Sequence, residues 1–209
     1  MEIEIREYRD EDELEWMEVH AKILTISHSW NYCIQERPAY EGHESTRLVM
    51  IADGKIIGLT DTIYDNEAGE VCMLDTSRGG YVTEFGRLPG NEGRGLGIKL
   101  IDATIEDARK KGITRLEYWS QDRNAQRSYM KLGLKEISRP YRFRMKAPQP
   151  VTDTMLNSGI AIECIYGVCT PEGWHQIKKD QRILQDHPLE PHLCIGYEIP
   201  DFDNPYELS

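Results

Sequence analysis

Six consecutive residues, Glu92-Gly93-Arg94-Gly95-Leu96-Gly97, set three glycines at alternate positions between a β-type run (Tyr81, Val82, Phe85, Leu88) and a helical run (Leu96, Leu100, Ile101, Ala103, Ile105, Ala108). A chain that turns there starts a helix whose first amides lack intrahelical partners and carry the positive end of the helix dipole. Glycines let a phosphate reach those amides without meeting a Cβ, so the chemistry this spacing suits is the holding of a pyrophosphate by main-chain N–H groups. Several readings compete. A P-loop needs Lys and then Ser or Thr directly after the last glycine, where this chain has Ile98 and, one place late, Lys99. A dinucleotide fingerprint wants a small residue at Ile98 and an acid about 20 residues on; Glu117 stands near that distance, inside a strand-like run. The bland reading is a tight strand-to-helix turn with no ligand, which puts glycine in a helix start that nothing then stabilises.

The segment Pro89-Gly90-Asn91-Glu92-Gly93-Arg94-Gly95-Leu96-Gly97-Ile98-Lys99-Leu100-Ile101 resembles motif A of the GNAT superfamily of acyl-CoA N-acyltransferases, (Arg or Gln)-x-x-Gly-x-(Gly or Ala). Gly95 and Gly97 match, and Glu92 stands where Arg or Gln is usual. Further on, Ala125-x-x-Ser128-Tyr129-x-x-x-Gly133-Leu134 resembles the family's later motif, with Asp122 where Asn is frequent and Asn124 close by. The resemblance covers residues 1–146. It implies acetyl-CoA as acyl donor and a primary amine, of a small molecule before a protein, as acceptor. It implies a cofactor site at Arg87, Leu88, Glu92, Gly93, Arg94, Gly95, Leu96, Gly97 and Asn124, with N–H groups near Arg87 and Leu88 polarising the acetyl carbonyl where two parallel strands splay apart. Tyr129 is implied as the acid toward the leaving thiolate. Glu84, on the strand that leads into the turn, is the candidate base; its alternative is an edge charge paired with Arg87 or Arg127. The acid at Glu92 motivates a second expectation, a non-catalytic acyl-CoA-binding or regulatory module.

The elements that must position these residues follow from periodicity. Ile3, Ile5 and Tyr8 alternate with charges as a strand, and Asp10 with Glu13 starts a helix with apolar positions Leu14, Met17, Ala21 and Leu24. Residues 27–40 gather His28, Trp30, Tyr32 and Tyr40 in a partly helical connection, which in the GNAT arrangement borders the acceptor. Leu48–Ile51 and Ile56–Ile63 form a hairpin at Asp53-Gly54. Val71–Leu74 reads as a short strand and Asp75–Gly80 as a loop. The helix after the glycine turn ends at Lys110-Lys111-Gly112, Ile113–Trp119 is a strand, and Ala125, Tyr129 and Leu132 make a helix closed by Gly133. Lys135–Met145 reads as one long strand. Beyond Pro148 and Pro150, Ile160–Cys169 is a strand, Thr170-Pro171 starts a helix, and Leu193–Ile199 is a last strand. Strand–helix–strand implies a parallel pair and hairpins imply antiparallel ones, so the expected fold is α/β (α+β), a mixed, mostly antiparallel sheet flanked by helices. The expected domains are 1–146 and a βαβ-like extension, 151–209, packed on the core and offering a candidate homodimer contact.

Composition narrows the partners. The 209 residues carry 25 Lys and Arg against 36 Asp and Glu, a net charge of -11, which argues against nucleic acid or an anionic membrane surface. No stretch approaches the roughly 18 apolar residues of a membrane span, and the N-terminal residues are acidic where a signal peptide is basic, so a cytoplasmic location is expected. Five cysteines without a CxxC pair suggest neither a disulfide framework nor a metal site.

Overall fold

The computed structural model describes residues 2–27, 36–90, 94–146, 164–179 and 192–206 of the 209. The chain begins with β1 (Ile3–Glu7), a 3-10 turn (Asp10–Asp12) and α1 (Glu13–Ile26), then the hairpin of β2 (Ser45–Ala52) and β3 (Lys55–Tyr64). Asp53 and Gly54 turn that hairpin at φ 49° and 75°. Both are left-handed, as a two-residue type I′ turn requires. Next come β4 (Gly80–Arg87), α2 (Leu96–Lys110), β5 (Leu116–Ser120) and α3 (Arg123–Lys131). The chain then runs through β6 (Lys135–Ser138), β7 (Tyr141–Lys146), β8 (Cys164–Cys169), α4 (Pro171–Lys179), β9 (His192–Leu193) and β10 (Ile195–Ile199).

Seven strands form one sheet in the order β1-β2-β3-β4-β5-β10-β6. β1–β2, β2–β3 and β3–β4 pair antiparallel and β4–β5 parallel, so the sheet is mixed and mostly antiparallel, as the sequence implies. Alternation along β2 sends its residues to two cores. Val49 joins Trp16 and Val19 of α1 with Ile56 and Leu59 on one face. Met50 and Ala52 join Ile57 with Leu96 and Leu100 of α2 on the other. A fully buried side chain of this size contributes about 1.5–3 kcal/mol, so these two layers fix which way each strand of the site faces.

Four expectations need correction. The buried stripe of α1 is Trp16, Val19 and His20, not one running through Leu14, which is 76% exposed. The 3-10 turn sets the helix rotation: the Asp12 carboxylate accepts from the Arg9 amide and from Arg6, and the α-helix starts only afterwards. Val71–Leu74 is not a strand, because its amides are held by side chains. Asp65 accepts from Val71 and Cys72, and Glu117 from Met73 and Leu74, at 2.8–3.0 Å. The run Lys135–Met145 is two strands in two sheets, interrupted at Pro140, which has no N–H to give a ladder. Leu193–Ile199 likewise divides, β9 pairing with β7 and β10 lying between β5 and β6.

Two compact units divide the chain: Met1–Glu136 with Gly196–Ser209, and Ile137–Ile195. The second contains the three-stranded sheet β8-β7-β9 and α4. Thr170 caps α4 as its sequence implies, its hydroxyl oxygen accepting from the Gly173 amide at 3.1 Å. Residues 147–163, next to the expected domain boundary, lie outside the described residues.

Candidate active site

The glycine turn opens α2 at the positions described. Gly95 is the N-cap of α2, at φ 68°, a left-handed conformation that costs residues with a Cβ and glycine nothing. It offers no side-chain cap, and the first intrahelical bond runs from the Lys99 amide to the Gly95 carbonyl. The amides of Leu96, Gly97 and Ile98 therefore have no intrahelical partner, and no acidic residue occupies that turn. A Cβ on Gly95 would meet nothing within 4 Å, and one on Gly97 only the Phe85 ring at 3.9 Å, so space lies open over these amides. Such a cradle fits an anion. Leu96 is buried beneath and Arg94 is exposed; Glu92 and Gly93 lie outside the described residues.

Phe85 links this turn to a gap in the sheet. β4 and β5 pair only at Gly80–Leu116, Tyr81–Glu117 and Val82–Tyr118, after which they part. The Leu88 amide donates to the Ile57 carbonyl at 2.8 Å, so the expectation of an available N–H at Leu88 does not hold. Alternation along an antiparallel strand then turns the Phe85 and Arg87 amides away from β3, toward the gap. Tyr129 of α3 stands at the same place, its ring 5.3 Å from Tyr118, 6.1 Å from Phe85 and 5.3 Å from Tyr197 of β10. Burial pushes its hydroxyl well above the usual tyrosine range, so it keeps its proton. Asn124 lies exposed in the first turn of α3, where its amide and that of Ala125 donate to Asp122, the N-cap.

On the α1 face of β4 the structure assembles a polar cluster. The β3–β4 register shifts between Asp61, opposite Glu84, and Thr62, opposite Val82, which leaves Thr83 as a bulge. Thr83 and Glu84 thereby both reach the α1 face. The Thr83 hydroxyl is 2.8 Å from Tyr40 Oη, and Glu84 Oε2 is 3.0 Å from His20 Nε2. Glu84 pairs with His20 and with neither arginine proposed for it from sequence. Beside them Arg37 pairs with the fully buried Asp61, which also accepts from Tyr40 Oη at 3.1 Å. The Arg37 guanidinium lies 4.2 Å from the Tyr8 ring centroid and 5.3 Å from that of Trp16. Burial raises the Asp61 carboxyl, with Arg37 opposing, and burial followed by the Asp61 charge raises the Tyr40 hydroxyl.

Sequence reasoning missed His20, Arg37, Asp61 and Thr83. One signal was present: an acid at Asp61 inside the run Ile56–Ile63, where burial of a carboxylate demands a partner. Glu117, the acid considered for a dinucleotide, is fully buried and occupied by Arg115, the Trp119 indole N–H and two loop amides. It cannot serve a ribose. His28, Trp30 and Tyr32 lie outside the described residues. Among the described residues no group of three or more His, Cys, Asp or Glu is arranged to hold a metal ion, and no helix is long and apolar enough to cross a membrane.

Residues 3–134 match the Acetyltransferase (GNAT) family. No curated protein matches the chain. Among solved structures, a tandem GNAT protein from the clavulanic acid biosynthesis pathway is similar at 17% identity and TM-score 0.54, over 69% of this chain and 47% of that one. The PaiA N-acetyltransferase of Thermoplasma acidophilum, in complex with coenzyme A, is similar at 18% identity and TM-score 0.51, over 66% and 92%. The N-acetylglutamate synthase of Neisseria gonorrhoeae, complexed with coenzyme A and N-acetyl-glutamate, is similar at 16% identity and TM-score 0.50, over 95% and 35%. At these identities the likeness is one of fold. This chain spans about half of the tandem protein's length and a third of the synthase's.

Proposed function

The chain belongs to the acetyltransferase (GNAT) family, and from that premise we propose that it transfers an acetyl group from acetyl-CoA to a primary amine of a small molecule. One observation carries the proposal: β4 and β5 part after three paired residues, beside a helix start whose glycine cap brings no side chain over its first amides. The fit to CoA rests on that open cradle, with the Leu96, Gly97 and Ile98 amides for the pyrophosphate. When bound, acetyl-CoA supplies an acyl group activated as a thioester. The Phe85 and Arg87 amides, turned to the gap, are the donors aimed at an acyl carbonyl there. Glu84, 21% exposed and anchored through one oxygen, takes a proton from the incoming ammonium through the other or through water. Tyr129, buried and protonated, offers its hydroxyl proton at the base of the gap, where a departing thiolate needs one.

The test is a panel of small amines and amino-terminal peptides incubated with acetyl-CoA, read by release of free CoA thiol and by mass of the acetylated product. Turnover of a small amine above every peptide supports the proposal, and preference for a peptide overturns the acceptor class. A second reading, a non-catalytic acyl-CoA-binding or regulatory module, is motivated by the acid at Glu92. Saturable CoA binding with no thiol released by any acceptor would favour it.

A further inference from the structure

We propose that His20 of α1 is a positioning residue for Glu84: its Nε2–H anchors one carboxylate oxygen and so aims the other at the acceptor amine. The inference rests on the acyl-transfer reading and on Glu84 as the base. Four observations carry it. His20 is buried, with 4% side-chain exposure, yet its only hydrogen-bond partner among the described residues is Glu84, at 3.0 Å. Its ring is fixed by stacking on Trp16, with centroids 5.0 Å apart and planes 8° from parallel, and Trp16 is itself fully buried. A buried side chain held this firmly is preorganised and loses little freedom on making its bond. Its Nδ1 is buried without a partner, and a bare lone pair there is easier to leave unmet than a buried N–H, so the tautomer that fits carries its proton on Nε2 and donates to the carboxylate. Lastly, the bulge at Thr83 is what turns Glu84 to this face.

The surrounding charge supports the same assignment. Asp61 lies opposite Glu84 in the strand register, and its charge is matched by Arg37, which leaves His20 as the group that holds Glu84. Gly86, two residues along β4, carries no side chain; a Cβ there would come within 2.8 Å of Ile23, so α1 is seated close enough on β4 for His20 to reach. The device is a histidine on a rigid helix holding a carboxylate on a bulged strand, in a side chain that keeps 21% exposure.

A matched pair of variants tests it. His20→Gln keeps an N–H donor on a side chain of similar reach, whereas His20→Met fills the space and cannot donate. With the best amine of the panel, His20→Met is expected to lower kcat about 10- to 100-fold, as misplacement of a reacting group by about 1 Å does, with KM for acetyl-CoA unchanged. His20→Gln is expected to recover most of the loss. The double variant His20→Met/Glu84→Gln should lose little more activity than Glu84→Gln alone, and the two losses should not multiply, because the two residues act as a unit. A His20→Met enzyme within twofold of an active wild type overturns the inference and leaves the acyl-transfer reading standing. A wild type that binds CoA and acetylates nothing overturns both. Should the methionine variant not fold, the imidazole 15N spectrum decides: a proton on Nε2 whose resonance moves in Glu84→Gln supports the assignment, and an unmoved one overturns it.

Discussion

Three residues bear most directly on the proposed chemistry. Gly97 is helical and its Cβ position is open, with Phe85 at an ordinary van der Waals distance, so a larger residue there meets little in the protein and something only in the ligand. Gly97→Val is expected to fold with a melting temperature close to wild type and to weaken CoA binding at least about tenfold, the equivalent of roughly one hydrogen bond, by calorimetric titration. Gly95→Val should weaken it further, because it adds the strain of a β-branched residue at φ 68°. Undiminished affinity in both variants would move the pyrophosphate elsewhere. Tyr129→Phe keeps the ring packing against Phe85, Tyr118 and Tyr197 and removes only the hydroxyl. It is expected to lower turnover by about 10²- to 10⁴-fold with CoA affinity retained, as for a lost general acid. Unchanged turnover would return Tyr129 to the core.

At the scale of elements, the loop from Asp65 to Gly79 shows how carboxylates replace a strand ladder. Burial alone would raise the Asp65 carboxyl, but the amides of Cys72, Val71 and Gly79 outweigh it and hold the group below its usual 3.8. A carboxylate depressed on folding contributes stability that is present above its unfolded value and lost as pH falls through the folded one. The melting temperature of wild type should therefore drop below about pH 3.8, and Asp65→Asn should melt lower at pH 7 and show a flatter dependence in that acid range. Parallel curves for the two proteins would mean that the loop is held by something else. The same element scale explains the misread face of α1. Leu14, Met17, Ala21 and Leu24 have helical spacing, but so do Trp16, Val19, His20 and Ile23, and the cap residue that chooses between the stripes is Asp12, tied to Arg6 across the turn.

For the whole molecule, the order β5-β10-β6 makes the last strand an interior strand of the seven-stranded sheet. Tyr197 and Ile199 are fully buried and Tyr197 packs on Tyr129, so residues far along the chain build one wall of the candidate site. Beyond β10, Phe202 is buried, Arg109 pairs with Asp203, and Tyr206 bonds Asp102 at 2.6 Å, which ties the terminal segment to α2. Truncation after Ala147 would leave β5 and β6 with unpaired edges and is expected to yield aggregated protein. A soluble truncated chain that melts cooperatively and binds CoA would show that the sheet closes without β10.

What the sequence by itself determined were the features carried by local physics. Alternation and turn chemistry specified the β2–β3 hairpin at Asp53-Gly54, and glycine spacing specified the start of α2 with its open amides. Capping residues and glycines marked α3 and the start of α4. Motif likeness pointed to Tyr129 and the family. Tertiary structure alone decided the partners. Which stripe of α1 is buried, that Glu84 meets His20 across 64 residues, and that Arg37 answers the buried Asp61 all depend on a bulge at Thr83 and on packing between distant segments. The division of Lys135–Met145 and of Leu193–Ile199 between two sheets is of the same kind. β-type patterning says that a strand has a buried face, but the identity of the neighbour that covers it is a long-range contact, and nothing in the local spacing encodes it.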